Sequence, residues 1–280
     1  MVSKILIRFG DVEMNRLKNQ VAIITGGSRG IGMAIAKKFA NEGADILIAD
    51  IMKEEAEAAA RELSSMGSNA GSYQLDVRDV GEIYKMVAYC EKEFGKVDIL
   101  VNNAGVQKPC PSMKLSEEDF DRIMDINIKG AFFCAQAAGR SMRKNGGGKI
   151  VNMSSGNSRM VNVGRAPYCI SKTGINSMTA VLGAEWAMYN IRVNAIAPGW
   201  IQTEMTKRGI ALKALDEKQV FAVSPVERWG TVEEIANLAC YLASDESTYI
   251  VGQVIFCDGG WNTGMMPGAL DYIRENDKPE

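Results

Sequence analysis

Short apolar runs alternate with stretches of helical spacing along this chain, and that rhythm predicts its architecture. Val21–Thr25 (VAIIT) is apolar and β-branched, the pattern of a parallel strand buried on both faces. Ile31–Ala40 then carries apolar residues at helical intervals, with Lys37 and Lys38 on the outer side. The alternation continues as strand Ala44–Asp50, helix Lys53–Met66, strand Ser72–Val77, helix Val80–Phe94 and strand Val97–Asn102. Ser116–Lys144 reads as one helix, opened by Ser116 and Asp119 in an S-x-x-D start. Strand Lys149–Ser155, a loop over 156–167, a helix from Pro167 to about Tyr189 and strand Arg192–Ala197 follow. A capping box at Thr231 and Glu234 opens helix Thr231–Ala243, and strand Gln253–Cys257 closes the series.

Seven such strands in βα order predict an α/β fold: a doubly wound seven-stranded parallel sheet with helices on both faces. One domain is expected over 1–280, with its core at about 18–261, an N-terminal arm over 1–17 and an irregular C-terminal tail over 262–280. Residues 200–224 lack a strand pattern and carry Met205, Ile210, Leu212, Leu215 and Phe221 among charges, which suits a mobile lid. Ile126–Ala138 is apolar on nearly all sides, so its surplus face reads as a subunit interface. Asn127 within it needs hydrogen-bond partners.

The turn after the first strand adds chemistry. Gly26, Gly27, Gly30 and Gly32 stand between strand and helix, where backbone N–H groups can approach a pyrophosphate at a helix N-terminus. The spacing, Thr25-Gly26-xxx-Gly30-x-Gly32, departs from G-x-G-x-x-G but keeps the strand–turn–helix context of a dinucleotide site. Asp50 ends the second strand, where an acid accepts the adenosine ribose hydroxyls and repels a 2′-phosphate. That favours NAD over NADP. Arg29 beside the turn pulls the other way, and Asp50 has a second reading as an N-cap of the next helix.

Composition narrows the class. The chain has 280 residues, 46% hydrophobic and 24% charged, with a net charge of −2. That balance argues against nucleic acid or an anionic membrane as partner, and the apolar runs are too short to span a bilayer. Met1–Gly10 has only Ile5–Ile7 as an apolar stretch, and Lys278-Pro279-Glu280 matches no retention or lipidation signal. The six cysteines are scattered without a CxxC pair, which suits free thiols in a reducing cytoplasm. With no histidine, there is no Ser-His-Asp triad and no metal site is expected; proton handling falls to Tyr, Lys or carboxylates.

Tyr168 and Lys172 are four apart and so share one helical face. Together with Asn102-Asn103-Ala104-Gly105, Asn127, Ser155, Pro198-Gly199-x-Ile201-x-Thr203 and the glycine turn, they make the chain resemble the short-chain dehydrogenase/reductase family from about Lys18 to Trp261. The resemblance implies that Tyr168 is a general acid/base, that Ser155 holds the substrate oxygen, and that Asn127 holds a water relaying protons from Lys172. A cation one turn away favours a tyrosinate, so Lys172 is expected to lower the Tyr168 pKa. Ser154 is expected to point away from the site. The cofactor set it implies is Gly26, Ser28, Arg29, Gly30, Ile31, Asp50, Asp76, Val77, Asn103, Ala104, Gly105, Tyr168, Lys172, Pro198, Gly199, Ile201 and Thr203. Within it, Asp76-Val77 contacts adenine, while Ile201 and Thr203 grip the carboxamide. Family members usually form homotetramers through helix faces such as 116–144 and 168–189.

The expected activity is hydride transfer between NAD(H) and a small secondary alcohol or ketone. Glu185-Trp186-Ala187 and Asp258-Gly259-Gly260-Trp261 are similar to sugar-acid dehydrogenases of the family. Trp200, Met205, Phe221, Met265 and Met266 suit instead a hydroxysteroid or 3-oxoacyl thioester, or ordinary lid packing. Arg159 and Arg165 are candidates to receive a carboxylate, or are simply solvated. A cofactor-binding regulator without turnover is the alternative of another class.

Overall fold

The computed structural model describes residues 15–211 and 216–276; most of the predicted N-terminal arm, with Leu212 and Leu215 of the predicted lid, lies outside them. The strands β1 (Val21–Thr25), β2 (Asp45–Asp50), β3 (Ala70–Gln74), β4 (Ile99–Asn102), β5 (Gly148–Met153), β6 (Ile191–Pro198) and β7 (Val254–Cys257) form one sheet. Their order is β3-β2-β1-β4-β5-β6-β7, and every neighbouring pair is parallel. The chain winds outward from β1 to β3, then returns to the other side of β1 at β4. Ligands in such sheets bind beyond the strand carboxyl ends at this switch.

Period-2 alternation sends successive side chains to opposite faces. Ile24, Ile46, Ile48, Val101 and Val151 pack on one side with α1 (Gly30–Asn41), α2 (Lys53–Ser65) and α9 (Val232–Ala243). Ile23, Leu47, Leu100, Ile150 and Val193 pack on the other with α3 (Val80–Phe94), α5 (Ala131–Lys144) and α6 (Ala166–Trp186). At the far end of α1, Glu42 is buried; its carboxylate accepts from Arg16 Nη2 at 2.6 Å and pairs with Lys38 Nζ at 3.0 Å. The pair ties the entering chain to the helix that carries the glycine turn.

Three expectations need correction, and the stretch read as a lid takes partly helical form. The third strand is Ala70–Gln74, so Asp76 and Val77 lie in the turn after it. The predicted helix over 116–144 is α4 (Glu117–Met124) and α5 joined by a π-helical turn, Asp125–Gly130. The predicted lid contains α7 (Glu204–Ala211) and α8 (Glu217–Ala222), and Ile201 bridges to Gly230. The tail is not wholly irregular: α10 (Ala269–Asn276) forms there, and Arg274 pairs with Glu227. Among the described residues no helix is long and apolar enough to cross a membrane.

Candidate active site

The glycine turn and the loop after β4 lock together. Thr25 Oγ1 accepts from the N–H groups of Asn103 (3.0 Å) and Ala104 (3.1 Å), and Asn103 Nδ2 donates to the Gly26 carbonyl at 2.7 Å. Gly26 and Gly30 take φ of +61° and +56°, a conformation that penalises a Cβ. A Cβ at Gly32 would collide with the Gly26 carbonyl. At Gly30 it would meet nothing within 4 Å, so the backbone there faces open space. Arg29 precedes α1 as its N-cap yet contributes no side-chain cap, and the first turn holds no acidic residue. Uncapped N–H groups beside an open, glycine-lined face fit a pyrophosphate. Ile31 lies in that first turn, half-buried.

Asp50 is buried behind this turn. Its Oδ2 accepts from Ser28 Oγ (2.7 Å) and Ser28 N (3.2 Å), and Oδ1 accepts from Met52 N (3.1 Å). The helix it was alternatively expected to cap takes Met52 as N-cap, so Asp50 instead braces the glycine turn. Asp76 is engaged by Arg78, whose Nε donates to Oδ2 at 2.9 Å. That hydrogen bond outweighs burial and holds the Asp76 carboxyl below its ordinary range. Val77 is buried against Gly130, where a Cβ would sit 2.7 Å from the Val77 carbonyl.

The catalytic candidates meet at the ends of β4, β5 and α6. Ser155 Oγ accepts from Asn157 N at 3.1 Å and is bonded to the Tyr168 phenol. Ser154 turns away, as expected: its Oγ donates to Asn176 Oδ1 at 2.6 Å. Lys172 is buried, with Nζ 5.7 Å from the Tyr168 ring centre and donating to the Met153 carbonyl at 2.7 Å. A Cβ placed on Gly105 would lie 3.4 Å from Asn127 Oδ1 and 3.5 Å from Lys172 Nζ, so the three adjoin. Asn127 is fully engaged: Oδ1 accepts from Val106 N (2.8 Å), while Nδ2 donates to Val106 O (2.9 Å) and Ser171 Oγ (3.1 Å).

Electrostatics here differ from expectation. Burial pushes the Lys172 ammonium down to about 8. Burial also raises the Tyr168 phenol; the Ser155 hydrogen bond and the Arg165 charge oppose that rise without cancelling it. Ser155 and Arg165 are the contacts that lower it, and the Lys172 ammonium is directed at a carbonyl.

Beyond β6, Pro198 ends the strand, and a Cβ on Gly199 would press on Asp258 Cα at 2.6 Å. Ile201 is buried, and Thr203 N donates to Thr206 Oγ1 at 2.6 Å. Two residues that carry no motif signal also stand at this edge: Asn157, just past Ser155, and Asn262, whose Nδ2 donates to Asp258 Oδ2 at 2.8 Å. Both are buried, which a lone loop asparagine gives no reason to expect.

A family model described as enoyl-(acyl carrier protein) reductase matches residues 26–262, from the glycine turn to Asn262. The chain belongs to the short-chain dehydrogenase/reductase family. It is 39% identical over 245 residues to a 3-oxoacyl-(acyl-carrier-protein) reductase of Thermotoga maritima, covering 88% of this chain and 98% of that one. It is 40% identical to an NAD-dependent glycerol dehydrogenase of Listeria innocua, over 88% of this chain and 94% of that one. The crystal structure of a gluconate 5-dehydrogenase from Burkholderia cenocepacia, in complex with NADP and tartrate, superposes with a TM-score of 0.86 at 35% identity, covering 90% of this chain and 99% of that one. As a member of this short-chain family the protein is an oxidoreductase of the NAD(P) class.

Proposed function

We propose that the protein transfers a hydride between NAD(H) and a secondary alcohol or ketone, with Tyr168 as general acid/base. The observation that carries this reading is the meeting of Ser155, Tyr168 and a buried Lys172 at the sheet's carboxyl edge. When bound, a nicotinamide cofactor would supply the hydride acceptor or donor and, when oxidised, a positive charge. Ser155 Oγ holds the substrate oxygen next to the Tyr168 hydroxyl. Tyr168 takes the proton as an alcohol is oxidised and returns it as a ketone is reduced. Lys172, held at about 8, changes charge close to neutral pH and passes that proton on. Asn127 fixes the Gly105–Val106 loop beside Lys172, along the route to solvent.

Gly26, Ser28, Gly30 and Ile31 would hold the cofactor's phosphates, Asp76 and Val77 its adenine, the Asn103–Gly105 loop the stretch between, and Pro198, Gly199, Ile201 and Thr203 its carboxamide. Asp50 sets NAD above NADP. At ~332/(ε·r), with an effective ε of ~20, a 2′-phosphate near that carboxylate meets a repulsion of a kcal/mol or more. The exposed Phe132 on α5 and Val181 on α6 leave an apolar face that suits a homotetramer. Free, separated cysteines suit a cytoplasmic setting.

Tyr168→Phe tests the reading. It removes the proton donor and little else, so turnover should fall about 10²–10⁴-fold while NADH fluorescence still reports binding. Retention of most activity would reject the role.

A further inference from the structure

We propose that the cleft beside Tyr168 is built for a small carboxylate bearing several hydroxyls, with Arg165 receiving the carboxylate and Asn157, Asn262 and Trp200 Nε1 hydrogen-bonding the hydroxyls. The assignment rests on the site placement of the proposed function and names its substrate class.

Buried polar side-chain atoms without a partner are the first observation. Among the described residues they are Asn157 Oδ1, Ser158 Oγ, Asn162 Nδ2, Trp200 Nε1 and Asn262 Oδ1, with Arg16 Nε and Asn102 Oδ1 elsewhere. The first group follows β5, β6 and β7 at their carboxyl ends, where ligands of this sheet bind. Asn157 and Asn262 are 6% and 9% exposed, so bulk water does not pair them. A buried polar atom left alone is costly, so a cluster calls for a ligand that pairs them. Asn157, Asn262 and Trp200 stand close together beside Ser155 and Gly156. Asn157 N donates to Ser155 Oγ, Asn262 lies against Gly156, and the Trp200 and Trp261 rings are 5.5 Å apart.

Charge is the second observation. Arg165 precedes α6 and lies 6.0 Å from the Trp200 ring centre, with Nη1 donating to Gln107 Oε1 at 2.9 Å. Among the described residues no carboxylate pairs with it, and its charge reaches the Tyr168 phenol. A guanidinium beside the acid/base, held by an amide rather than an acid, is a receptor for a substrate carboxylate.

The aromatic residues do not compete for that role. Trp200 packs edge-on against Trp229 at 6.3 Å, and Phe221 against Trp229 at 5.8 Å, so these rings fill one another's faces. An apolar substrate would leave the unpartnered amides with nothing to bond them, whereas a site made of such groups rejects analogues that lack the hydroxyls.

The test measures kcat/KM by reduced-nicotinamide absorbance, with D-gluconate, D-sorbitol and cyclohexanol as probes and both cofactors, for wild type, Arg165→Gln and Asn157→Leu. NADH binding by fluorescence checks that each variant is folded. We expect gluconate to be preferred to sorbitol and sorbitol to cyclohexanol. Arg165→Gln should lower the gluconate-to-sorbitol ratio about 10–100-fold, chiefly through KM. Asn157→Leu should lower the sorbitol-to-cyclohexanol ratio. Taking ratios cancels the shift in the Tyr168 phenol that losing Arg165 brings. An unchanged ratio in Arg165→Gln, or a wild type that prefers cyclohexanol, overturns the assignment while leaving hydride transfer standing. If no probe is oxidised, direct binding decides the substrate class. Quenching of tryptophan fluorescence by gluconate, lost in Arg165→Gln, upholds it; no quenching overturns it.

Discussion

Replacing Lys172 by methionine should make the protein more stable while abolishing its turnover. Burial holds the ammonium at about 8, against an ordinary 10.5. At ~1.36 kcal/mol per pKa unit, keeping the charged form buried costs the fold about 3 kcal/mol at neutral pH. Methionine of similar length removes that cost. It also removes the 2.7 Å bond to the Met153 carbonyl, which returns about 1–2 kcal/mol. The net gain at pH 7 is then about 1–2 kcal/mol. The sign follows from protons. Between pH 8 and 10.5 the unfolded chain still binds the proton that the folded chain has released, so wild-type stability climbs with pH relative to the variant. Above that window the cost is gone and only the lost hydrogen bond separates the two. Urea unfolding followed by tryptophan fluorescence at pH 7 and near 10, with turnover measured alongside, checks this. A variant less stable than wild type at pH 7, or a difference that is the same at both pH values, would refute the reasoning.

The other outcomes are simpler. Asp50→Ala should narrow the preference for NAD over NADP in kcat/KM; a wild type that already prefers NADP would show that Arg29 outweighs Asp50. Burial pushes the Glu42 carboxyl up, but hydrogen bonds from Arg16 and Lys38 outweigh it and hold it at about 2, against 4.5. Its contribution of about 3 kcal/mol is present above pH 4.5 and lost as pH falls toward 2, so Glu42→Gln should be destabilised at pH 7 by that order and should flatten the acid side of the stability curve. Acid titrations followed by circular dichroism would show an unaltered acid limb if the pair carries nothing.

The sheet was legible because its buried strands are short runs rich in β-branched residues, closed by a polar or turn-forming residue such as Thr25, Asp50, Asn102 or Pro198. β3 was placed late because it is partly exposed and contains Gly71, so its apolar signal begins only at Tyr73 and runs on through Leu75 and Val77. α10 gives no sequence signal because it buries no residue, and Tyr272 and Ile273 lie on the surface. Ser155, Tyr168 and Lys172 could be paired from spacing and family motif, yet the direction of the Tyr168 shift could not. It depends on how much of the phenol is dry and on where Lys172 points, and neither is a property of spacing. Asn157 and Asn262 carry no motif at all; only their burial without partners marks them.

The π-helical turn at Asp125–Gly130 amounts to one surplus residue spliced into an otherwise regular helix. It uncouples the phases of the two flanking segments, so α4 can keep its acidic side to solvent while α5 turns its alanines to the sheet. It also lets Asn127 face inward without dragging either neighbour out of register. Deleting a single residue there would straighten the rod and swing everything on one side of the splice by about 100° relative to the other. For a segment whose composition looks merely apolar, length is thus under tighter constraint than identity.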